Sequence, residues 1–502
     1  MKKYIILLVI ILTAGAGCKK SYTDINQNPN SPTSSSITAD FLLPNVQVPM
    51  AALVGATGSS YRVLNHWMGQ WVRGGDFGAN AEEESYKLTT TFGQGLWTTL
   101  YNILQDVNTM EVKATAAGQN FYVGAAKVMR VEGYRQLVDM YNDVPYSQAL
   151  NLGSFIQPKY DKGEDIYKDL FVQLDQALVA FDAATPGQSP RTSVADVIFA
   201  GNTTNWRKYI NTLRLKLVLR LSETSGIINV NEQMGKITSD GFLNSSVFAN
   251  VQPGYLVTAG KLNPFYNRYQ ADENAIESDK FNRANPYTFD SLSANNDPRL
   301  MYYYSPAKIP LSGVQYRAGS PYGQLPGTIA SDNQSNVAGP GLAKSPTQSQ
   351  WLLTGMESLF LQAEARARGY LTGGPTAKEL FDEGIRASFN FLNVTNASNA
   401  ANILIASGRR LYTYPVGGSI SDQVRIIIAQ KYFSLVGMAP LEIYSDYRRT
   451  GFPVVPLSVR SGADPKMPVR FPYPQSEYSF NSASVLSQGT INTQSSLVFW
   501  DR

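Results

Sequence analysis

Two tryptophans and an arginine lie close together in the segment His66-Trp-Met-Gly-Gln-Trp-Val-Arg-Gly-Gly75. The indole rings of Trp67 and Trp71 offer flat apolar faces, and the guanidinium group of Arg73 offers hydrogen-bond donors. Flat rings, donors and flexible glycines together suit the capture of a sugar or a peptide. The spacing also has a second interpretation, because residues at i and i+4 fit one buried face of a helix.

Tyrosines in glycine-, proline- and asparagine-rich stretches form a second set of candidate binding residues. The chain contains 29 tyrosines, 22 phenylalanines and 6 tryptophans, and many of them lie outside periodic segments. Aromatic side chains in such stretches have less reason to fill a core than those on helices. The candidates are Tyr266, Tyr302, Tyr304, Tyr316 and Tyr322. Burial of these rings in the core is the alternative.

The sequence offers little for catalysis by histidine or by a cofactor. His66 is the single histidine, and it lies between Asn65 and Trp67. Ser-His-Asp hydrolases and His-ligated zinc enzymes need a well-placed imidazole, but we expect His66 to be a hydrogen-bonded structural residue. The sequence contains no glycine-rich phosphate loop, clustered metal ligands or dinucleotide fingerprint. We therefore expect no obligatory cofactor, and a structural calcium held by loop oxygens stays compatible with the sequence.

Acidic residues on a predicted helix raise the question of glycoside hydrolysis. Two carboxylates suffice for that reaction, and Glu357 and Glu364 could supply them. Acidic residues on helices more often form solvated or salt-bridged faces, and Arg366 and Arg368 follow closely. We therefore expect ion pairs here rather than a catalytic dyad.

The N-terminus carries the pattern of an export signal. Lys2-Lys3 precedes the apolar run Tyr4–Leu12, and small residues lead to Cys18, which is the only cysteine. This arrangement resembles a bacterial lipobox, in which signal peptidase II cleaves before a cysteine that then carries lipid. We predict a lipoprotein signal peptide over residues 1–17 and a polar, lipidated tether over residues 18–40. An ordinary signal peptide with an incidental cysteine is the alternative.

Composition predicts one large globular unit after the tether. Hydrophobic residues make up 43% of the chain and charged residues 16%, so residues 41–502 can bury a sizeable core. The net charge of +4 is small and the basic residues are dispersed, which argues against nucleic acid as a partner. A single cysteine excludes disulfides within the chain. Beyond the signal, no apolar run reaches the length of a membrane span.

Helical periodicity dominates the chain and comes in neighbouring pairs. Tyr167, Leu170, Phe171, Leu174 and Leu178 illustrate the spacing of apolar residues at every third or fourth position. The predicted pairs are 94–113 with 121–141, 164–182 with 205–222, 349–368 with 375–392, and 421–436 with 440–449. Such pairs predict a mainly α, tetratricopeptide-like solenoid. A loop-rich region over about 225–348 interrupts it, and irregular chain follows residue 450.

Several short motifs together resemble the SusD/RagB-like outer-membrane lipoproteins of Bacteroidota, in particular the SusD-like 2 branch. The similarity covers nearly the whole mature chain. Its carriers are Asn28-Pro-Asn30, Leu137-Val-Asp-Met-Tyr-Asn-Asp-Val-Pro-Tyr-Ser147, Pro158-Lys-Tyr-Asp161 before Ile166-Tyr167, Asn296-Asp-Pro-Arg299, Glu357-Ser-Leu-Phe-Leu-Gln-Ala-Glu-Ala365 and Glu442-Ile-Tyr-Ser-Asp-Tyr-Arg-Arg-Thr-Gly451.

The resemblance implies a binding protein rather than an enzyme. Proteins of this family sit lipid-anchored on the outer face of the outer membrane, capture oligosaccharides and cover a SusC-like TonB-dependent transporter that imports them. Some relatives capture peptides instead. A peptide-capturing relative and a glycan-active hydrolase therefore remain the alternatives to an oligosaccharide-capturing protein.

Two local structures can also be predicted around these motifs. Pro145 ends a helix, Asn142 adopts a left-handed conformation, and Asp139 and Asp143 accept hydrogen bonds from exposed backbone amides. The sequence Asp161-Lys-Gly-Glu164 resembles a capping box at the start of the next helix.

Overall fold

The computed structural model describes residues 37–185, 191–327 and 329–502. Cys18, the predicted signal peptide and nearly all of the predicted tether lie outside these residues. None of the described helices combines the length and the apolar character needed to cross a membrane.

Helices form most of the secondary structure. In the first half of the chain they are α1 Ala39–Val54, α2 Ser59–Trp67, α3 Ala81–Ser85, α4 Gln94–Ala116, α5 Asn120–Tyr141, α6 Gly163–Asp182, α7 Thr192–Ala195, α8 Thr203–Arg220 and α9 Val230–Gly235. In the second half they are α10 Pro264–Tyr269, α11 Pro286–Ala294, α12 Leu300–Tyr303, α13 Gly355–Ala367, α14 Ala377–Phe391, α15 Ala397–Ile405, α16 Ile420–Ser434, α17 Pro440–Thr450, α18 Gln475–Phe480 and α19 Ser482–Leu486.

Short strands connect distant parts of the chain. They are β1 Trp71–Arg73, β2 Val144–Pro145, β3 Tyr160–Asp161, β4 Ala249–Val251, β5 Asn282–Ala284 and β6 Gln350–Leu353. They form two-stranded antiparallel sheets in the pairs β1-β5, β2-β3 and β4-β6. The first and the last of these sheets fasten the loop-rich region to segments that lie far away in the sequence.

The predicted helical pairs are present, and the mainly α fold is confirmed. Helix α4 packs against α5, α5 against α6, α6 against α8, α8 against α13, and α13 against α14 and α16. Close approach within the pair α13–α14 needs a glycine, because a Cβ atom at Gly384 would lie 2.8 Å from the Phe360 ring. Within residues 225–348 the described helices are short, and the longest spans nine residues.

The structure differs from the sequence prediction at β6 and at α1. Residues 350–353 form β6 rather than the start of a helix, because all four side chains are buried and the strand pairs with β4. Helix α13 then begins at Gly355, where the side chain of Thr354 accepts a hydrogen bond from the Glu357 amide at 3.3 Å. Helix α1 was not predicted, because Pro44 and Pro49 lie inside it.

The turn after α5 has a different bonding pattern from the expected one. Asn142 has a φ of +66°, and Asp143 Oδ1 accepts a hydrogen bond from the Gly163 amide at 2.8 Å, as predicted. The capping prediction for Asp161 is wrong, because its carboxylate accepts from the amides of Tyr146 and Ser147 at 3.1 and 2.7 Å.

Asp139 has side-chain partners instead of the expected backbone amides. It is fully buried, and its Oδ1 accepts hydrogen bonds from the Tyr167 hydroxyl and from Trp500 Nε1, the latter at 3.0 Å. The ring of Trp500 is fully buried as well. The last residues of the chain thus cover a carboxylate on α5.

A buried ionic network joins α5, α8, α13 and α17. Arg135 contacts three carboxylates: Glu132 at 2.9 Å, Asp139 at 3.2 Å and Glu442 at 2.7 Å. The same Glu442 accepts from Arg220 at 2.8 Å. Burial raises the pKa of Glu442, but the nearby cations Arg135, Lys216 and Arg220 outweigh it and hold that pKa well below its usual range.

The acidic residues of α13 belong to this paired interior. Glu357 contacts Lys216 at 2.7 Å. Glu364 contacts Arg368 at 2.8 Å, as predicted, and also Arg449 at 2.6 Å. Both carboxylates are buried, and each is paired with a cation of the protein itself.

Candidate ligand-binding sites

The tryptophans of the segment 66–75 lie in the core. Trp67 ends α2, the chain turns at Gly69 with a φ of +67°, and Trp71 begins β1, so the two rings do not share a helix face. Both side chains are fully buried. The Trp67 ring stacks on Phe92 with a centroid distance of 6.2 Å, and its Nε1 donates to the Glu83 carbonyl at 3.2 Å. In this structure neither indole offers a face to a ligand.

Arg73 and His66 are likewise bound within the protein. Arg73 Nε donates to Glu84 Oε1 at 2.8 Å, and its Nη2 donates to the Gln324 carbonyl at 2.6 Å. His66 lies between Glu83 Oε1 at 2.7 Å and Asn282 Oδ1 at 2.8 Å. This confirms the structural, hydrogen-bonded role expected for His66.

The carboxylate of Glu83 shows how strongly this segment is held. Burial raises its pKa, but the charges of Arg62 and His66 outweigh that effect and lower the pKa to about 2. Arg62 Nη2 donates to Glu83 Oε2 at 2.6 Å. Arg73 and His66 are therefore already paired within the protein, and these pairs stabilise the fold.

The five candidate tyrosines separate into two groups. Tyr304 and Tyr322 are buried, and their hydroxyls donate to the carbonyls of Gln70 and Glu83, both at 2.9 Å. They cannot stack on a ligand in this structure, because both side chains are buried. Tyr266, Tyr302 and Tyr316 are partly exposed.

The partly exposed tyrosines do not form one described aromatic platform. The Tyr302 hydroxyl accepts a hydrogen bond from the Thr395 amide at 2.9 Å. Partial burial and the neighbouring Tyr302 raise the pKa of Tyr316, so these two phenols lie near each other. Tyr266 lies elsewhere, in the first turn of α10, where its amide donates to Asn263 Oδ1 at 2.9 Å.

A cleft of about 550 Å³ opens between the β4–β6 sheet and the C-terminal end of α14. We call it the amide cleft. Its lining includes Phe248, Asn250, Lys344, Asn390, Phe391 and Asn393. They come from the loop before β4, from β4 itself, from the loop before β6, and from the end of α14.

Aromatic rings form one part of the amide cleft. Phe248 and Phe391 are both partly exposed, and their ring centroids lie 6.2 Å apart. Lys344 Nζ lies 4.4 Å from the centroid of Phe391. Below them Trp351 is buried and fixed by a hydrogen bond of 2.8 Å from its Nε1 to the Met438 carbonyl. Both phenylalanine rings thus line the cleft and remain partly exposed.

Side-chain amides form the other part. Within the part of the chain that the structure describes, the side chains of Asn250, Asn390 and Asn393 have no hydrogen-bond partner in the protein. An asparagine amide offers two donors and one acceptor group, so the three side chains offer both kinds of group to a bound molecule. Rings beside unpartnered amides are the combination that binds sugar rings or extended peptides.

A second cavity of about 520 Å³ adjoins the amide cleft. The two share Ser246, Phe248 and Asn250, and the second extends to Asp196 and Phe199 beside α7. The segment 246–250 therefore separates two neighbouring depressions, which gives room for a ligand longer than one sugar unit.

None of the residues in the amide cleft was predicted from the sequence as a binding residue. Phe248 and Asn250 lie in the loop-rich region that was expected to be functional. Asn390 and Phe391 are the last residues of α14, Asn393 follows its C-cap, and the helical period gives no sign of a cleft there. The described residues contain no group of three or more His, Cys, Asp or Glu side chains suited to a metal ion. A structural calcium stays a prediction.

The amino-acid sequence also matches a known family over most of its length. The profile of the SusD-like 2 family, described as starch-binding and associating with the outer membrane, matches residues 29–474. The chain belongs to this family. No curated protein matches the SusD-like chain.

Solved structures support the same fold for this SusD-like protein. A SusD homologue from Bacteroides fragilis is 23% identical, with a TM-score of 0.73 over 93% of this chain and 100% of that one. A chitin-binding SusD homologue from Flavobacterium johnsoniae is 21% identical, with a TM-score of 0.72 over 92% and 98%. A SusD homologue from Bacteroides uniformis is 20% identical, with a TM-score of 0.72 over 92% and 99%.

Proposed function

We propose that this SusD-like protein captures oligosaccharides in the amide cleft and delivers them to a SusC-like TonB-dependent transporter of the outer membrane. A lipid on Cys18 would anchor it there, with the cleft facing the cell exterior. Family membership supports the nutrient-binding role at the outer membrane. To that role we add the amide cleft as the site, oligosaccharides as the ligand and the transporter as the partner.

The observation that carries the proposal is the pairing of accessible rings with unpartnered amides. Sugars present apolar faces that stack on rings, and hydroxyl groups that need both donors and acceptors. Phe248 and Phe391 supply the rings, and Asn250, Asn390 and Asn393 supply the amides. The residues that line the cleft include no aspartate or glutamate.

Chitin oligosaccharides are suitable first probes, since a relative of the same fold is named as chitin-binding. Malto-oligosaccharides are the second probe, given the description of the family. Titration calorimetry with a hexasaccharide of each kind should show binding of at least one. A short neutral peptide serves as the comparison, and binding of the peptide alone would replace glycan with peptide as the proposed ligand.

Substitution of the amides locates the site. Asn390→Ala and Asn250→Ala should each weaken glycan binding about two- to tenfold, because each removes one hydrogen bond worth about 0.5–1.5 kcal/mol. The matched control is Asn267→Ala, an exposed asparagine whose side chain also has no partner in the described protein. Equal effects of all three substitutions would rule out the amide cleft as the site.

The anchor and the partner need separate experiments. Cys18→Ala should release the protein from the membrane fraction, because no described helix can span a bilayer. Retention after a high-salt wash, in cells that lack the transporter, would contradict lipid anchoring. Purification from native membranes should bring down a TonB-dependent barrel, and purification without one would contradict the transporter partnership.

A further inference from the structure

One buried arginine differs from all the others in the described part of the chain. Six buried arginines contact a carboxylate: Arg73, Arg135, Arg214, Arg220, Arg299 and Arg449. Arg448 and Arg470 instead lie over tyrosine rings, at 4.3 and 4.8 Å from the centroids. Among the described residues, Arg283, which is 1% exposed, has neither a carboxylate within 4 Å nor a ring beneath it. The carboxylates of Asp279, Glu277, Asp332 and Asp76 act on it from a greater distance, and burial lowers its pKa despite them.

Backbone carbonyls hold the Arg283 side chain in place. Its Nε donates to the Ser331 carbonyl and its Nη1 to the Asn282 carbonyl, both at 2.8 Å. Its Nη2 has no hydrogen-bond partner among the described residues. The guanidinium is therefore rigidly positioned, and one of its donor nitrogens stays free for another molecule.

Arg283 lines a cavity of about 240 Å³ in the loop-rich region. We call it the Arg283 cavity. Its polar lining includes Gln270, Glu277, Arg283, Lys308, Asp332 and Gln334. The volume matches a single sugar ring better than a folded segment or a long chain.

A second buried donor in this lining has no partner. Gln334 is 2% exposed, and its Oε1 accepts a hydrogen bond from the Gly75 amide at 3.1 Å. That bond fixes Nε2 as the other end of the amide, and Nε2 is buried without a partner. Gly75 makes the contact possible, because a Cβ atom there would lie 2.1 Å from the Ile329 carbonyl oxygen.

The charged groups at the cavity suggest what these donors bind. Lys308 is exposed at the rim, with Nζ 3.3 Å from Glu277 Oε2. Asp332 has no cation within 4 Å among the described residues, but it lies near enough to act electrostatically on Arg283. A ligand therefore meets the donors of Arg283 and Gln334, which suit a carboxylate, and the acceptors of Asp332 and Glu277, which suit hydroxyl groups.

We propose that the Arg283 cavity binds a uronic acid, with its carboxylate at Arg283 and Gln334 and its ring hydroxyls at Asp332 and Glu277. An inorganic anion would satisfy the donors but not the two carboxylates. A neutral sugar would offer the Nη2 of Arg283 only an uncharged acceptor, whereas a carboxylate makes a stronger, charge-assisted hydrogen bond with it. This site is separate from the amide cleft and does not depend on the function proposed for that cleft.

Calorimetric titration with galacturonic acid and glucuronic acid tests the proposal, with the methyl esters and the parent neutral sugars as comparisons. At least one acid should bind tenfold or more tightly than its ester and its neutral parent. Tighter binding of a trigalacturonate would assign the cavity to one unit of an acidic glycan. Equal binding of monomer and trimer would assign it to a single or terminal unit. Equal binding of acid and neutral sugar, or no binding of either acid, would overturn the proposal.

A rim substitution links the binding to the cavity without disturbing the core. Lys308→Glu should weaken binding of the acid fivefold or more, whereas Lys87→Glu, an equal charge change at another exposed lysine, should not. Gln334→Met tests the buried donor, with the melting temperature recorded to confirm folding. Equal effects of the two lysine substitutions, or binding of a peptide carboxylate in place of the acids, would overturn the assignment. Asn390→Ala should leave this binding unchanged, so the two sites can fail independently.

Discussion

Arg135 in the helical core and Arg283 in the loop-rich region are buried to the same degree, at 2% and 1% exposed. Arg135 contacts three carboxylates, whereas Arg283 contacts backbone carbonyls and leaves one nitrogen without a partner among the described residues. Burial alone therefore does not separate a structural charge from a binding charge. The hydrogen-bond and ion-pair partners separate the two, because a guanidinium that is fully paired inside the protein has no donor left for a ligand.

The largest expected effect comes from Arg135→Met. This change leaves Glu132, Asp139 and Glu442 with fewer cations in a dry interior, and we expect the free energy of unfolding to fall by about 3–5 kcal/mol. Arg283→Met is the matched variant, and it should cost less than half as much, because no carboxylate loses a direct partner. Urea denaturation of both variants gives the comparison. A loss at Arg283 equal to that at Arg135 would show that Arg283 is a structural charge too.

A second prediction concerns pH and the paired segment around Glu83. Its pKa is lowered from an ordinary value near 4.5 to about 2, so its contribution to stability is present above about pH 4.5. That contribution is lost as the pH falls through about 2. Glu83→Gln should cost about 3 kcal/mol at pH 7 and progressively less between pH 4.5 and pH 2. Unfolding curves at several pH values measure this, and a cost independent of pH would contradict the pairing.

Asp501 should behave in the opposite way. Burial raises its pKa to about 6 despite the nearby Arg448, and its Oδ2 is buried without a partner. The ionised form is disfavoured in the folded state, so stability increases as the pH falls from about 6 towards 4. Asp501→Asn should therefore raise stability at pH 7.5, by up to about 2 kcal/mol, and change little at pH 4. A variant less stable than the wild type at pH 7.5 would contradict this sign.

The smallest effect on stability is expected in the amide cleft. Asn390 is exposed near the end of α14, and its side chain makes no bond in the described protein. Asn390→Ala should shift the melting temperature by no more than about 1 °C, in line with surface substitutions that remove no contact. A large loss of stability would show that the amide has a partner and is not free for a ligand.

The long helices could be predicted because their signal is local. The apolar spacing over Tyr167 to Leu178 directly gives the buried face of α6. Apolar spacing does not predict helix α1, because the two prolines inside it normally mark a break in a helix. Apolar spacing does not identify strand β6 either, because a buried run of four residues fits a strand or a buried helix equally well.

The candidate sites could not be predicted in the same way, because they depend on which distant residues meet. Trp67 and Arg73 have the chemistry of a binding site, but Glu83, Glu84 and Gln324 occupy their polar groups. In the sequence Asn390 cannot be distinguished from other polar residues on helices, because only the fold places β4 opposite it. The type of a residue in the sequence sets what it can bind, and the fold decides whether the protein itself has already bound it.

The contact between Trp500 and Asp139 joins residues 361 positions apart. A growing polypeptide that has reached only residue 450 lacks the indole that covers this carboxylate. The two charges next to it, Arg135 and Arg220, then remain partly open to water. The helical interior cannot close over this carboxylate until Trp500 has been synthesised, and contacts of such long range form slowly.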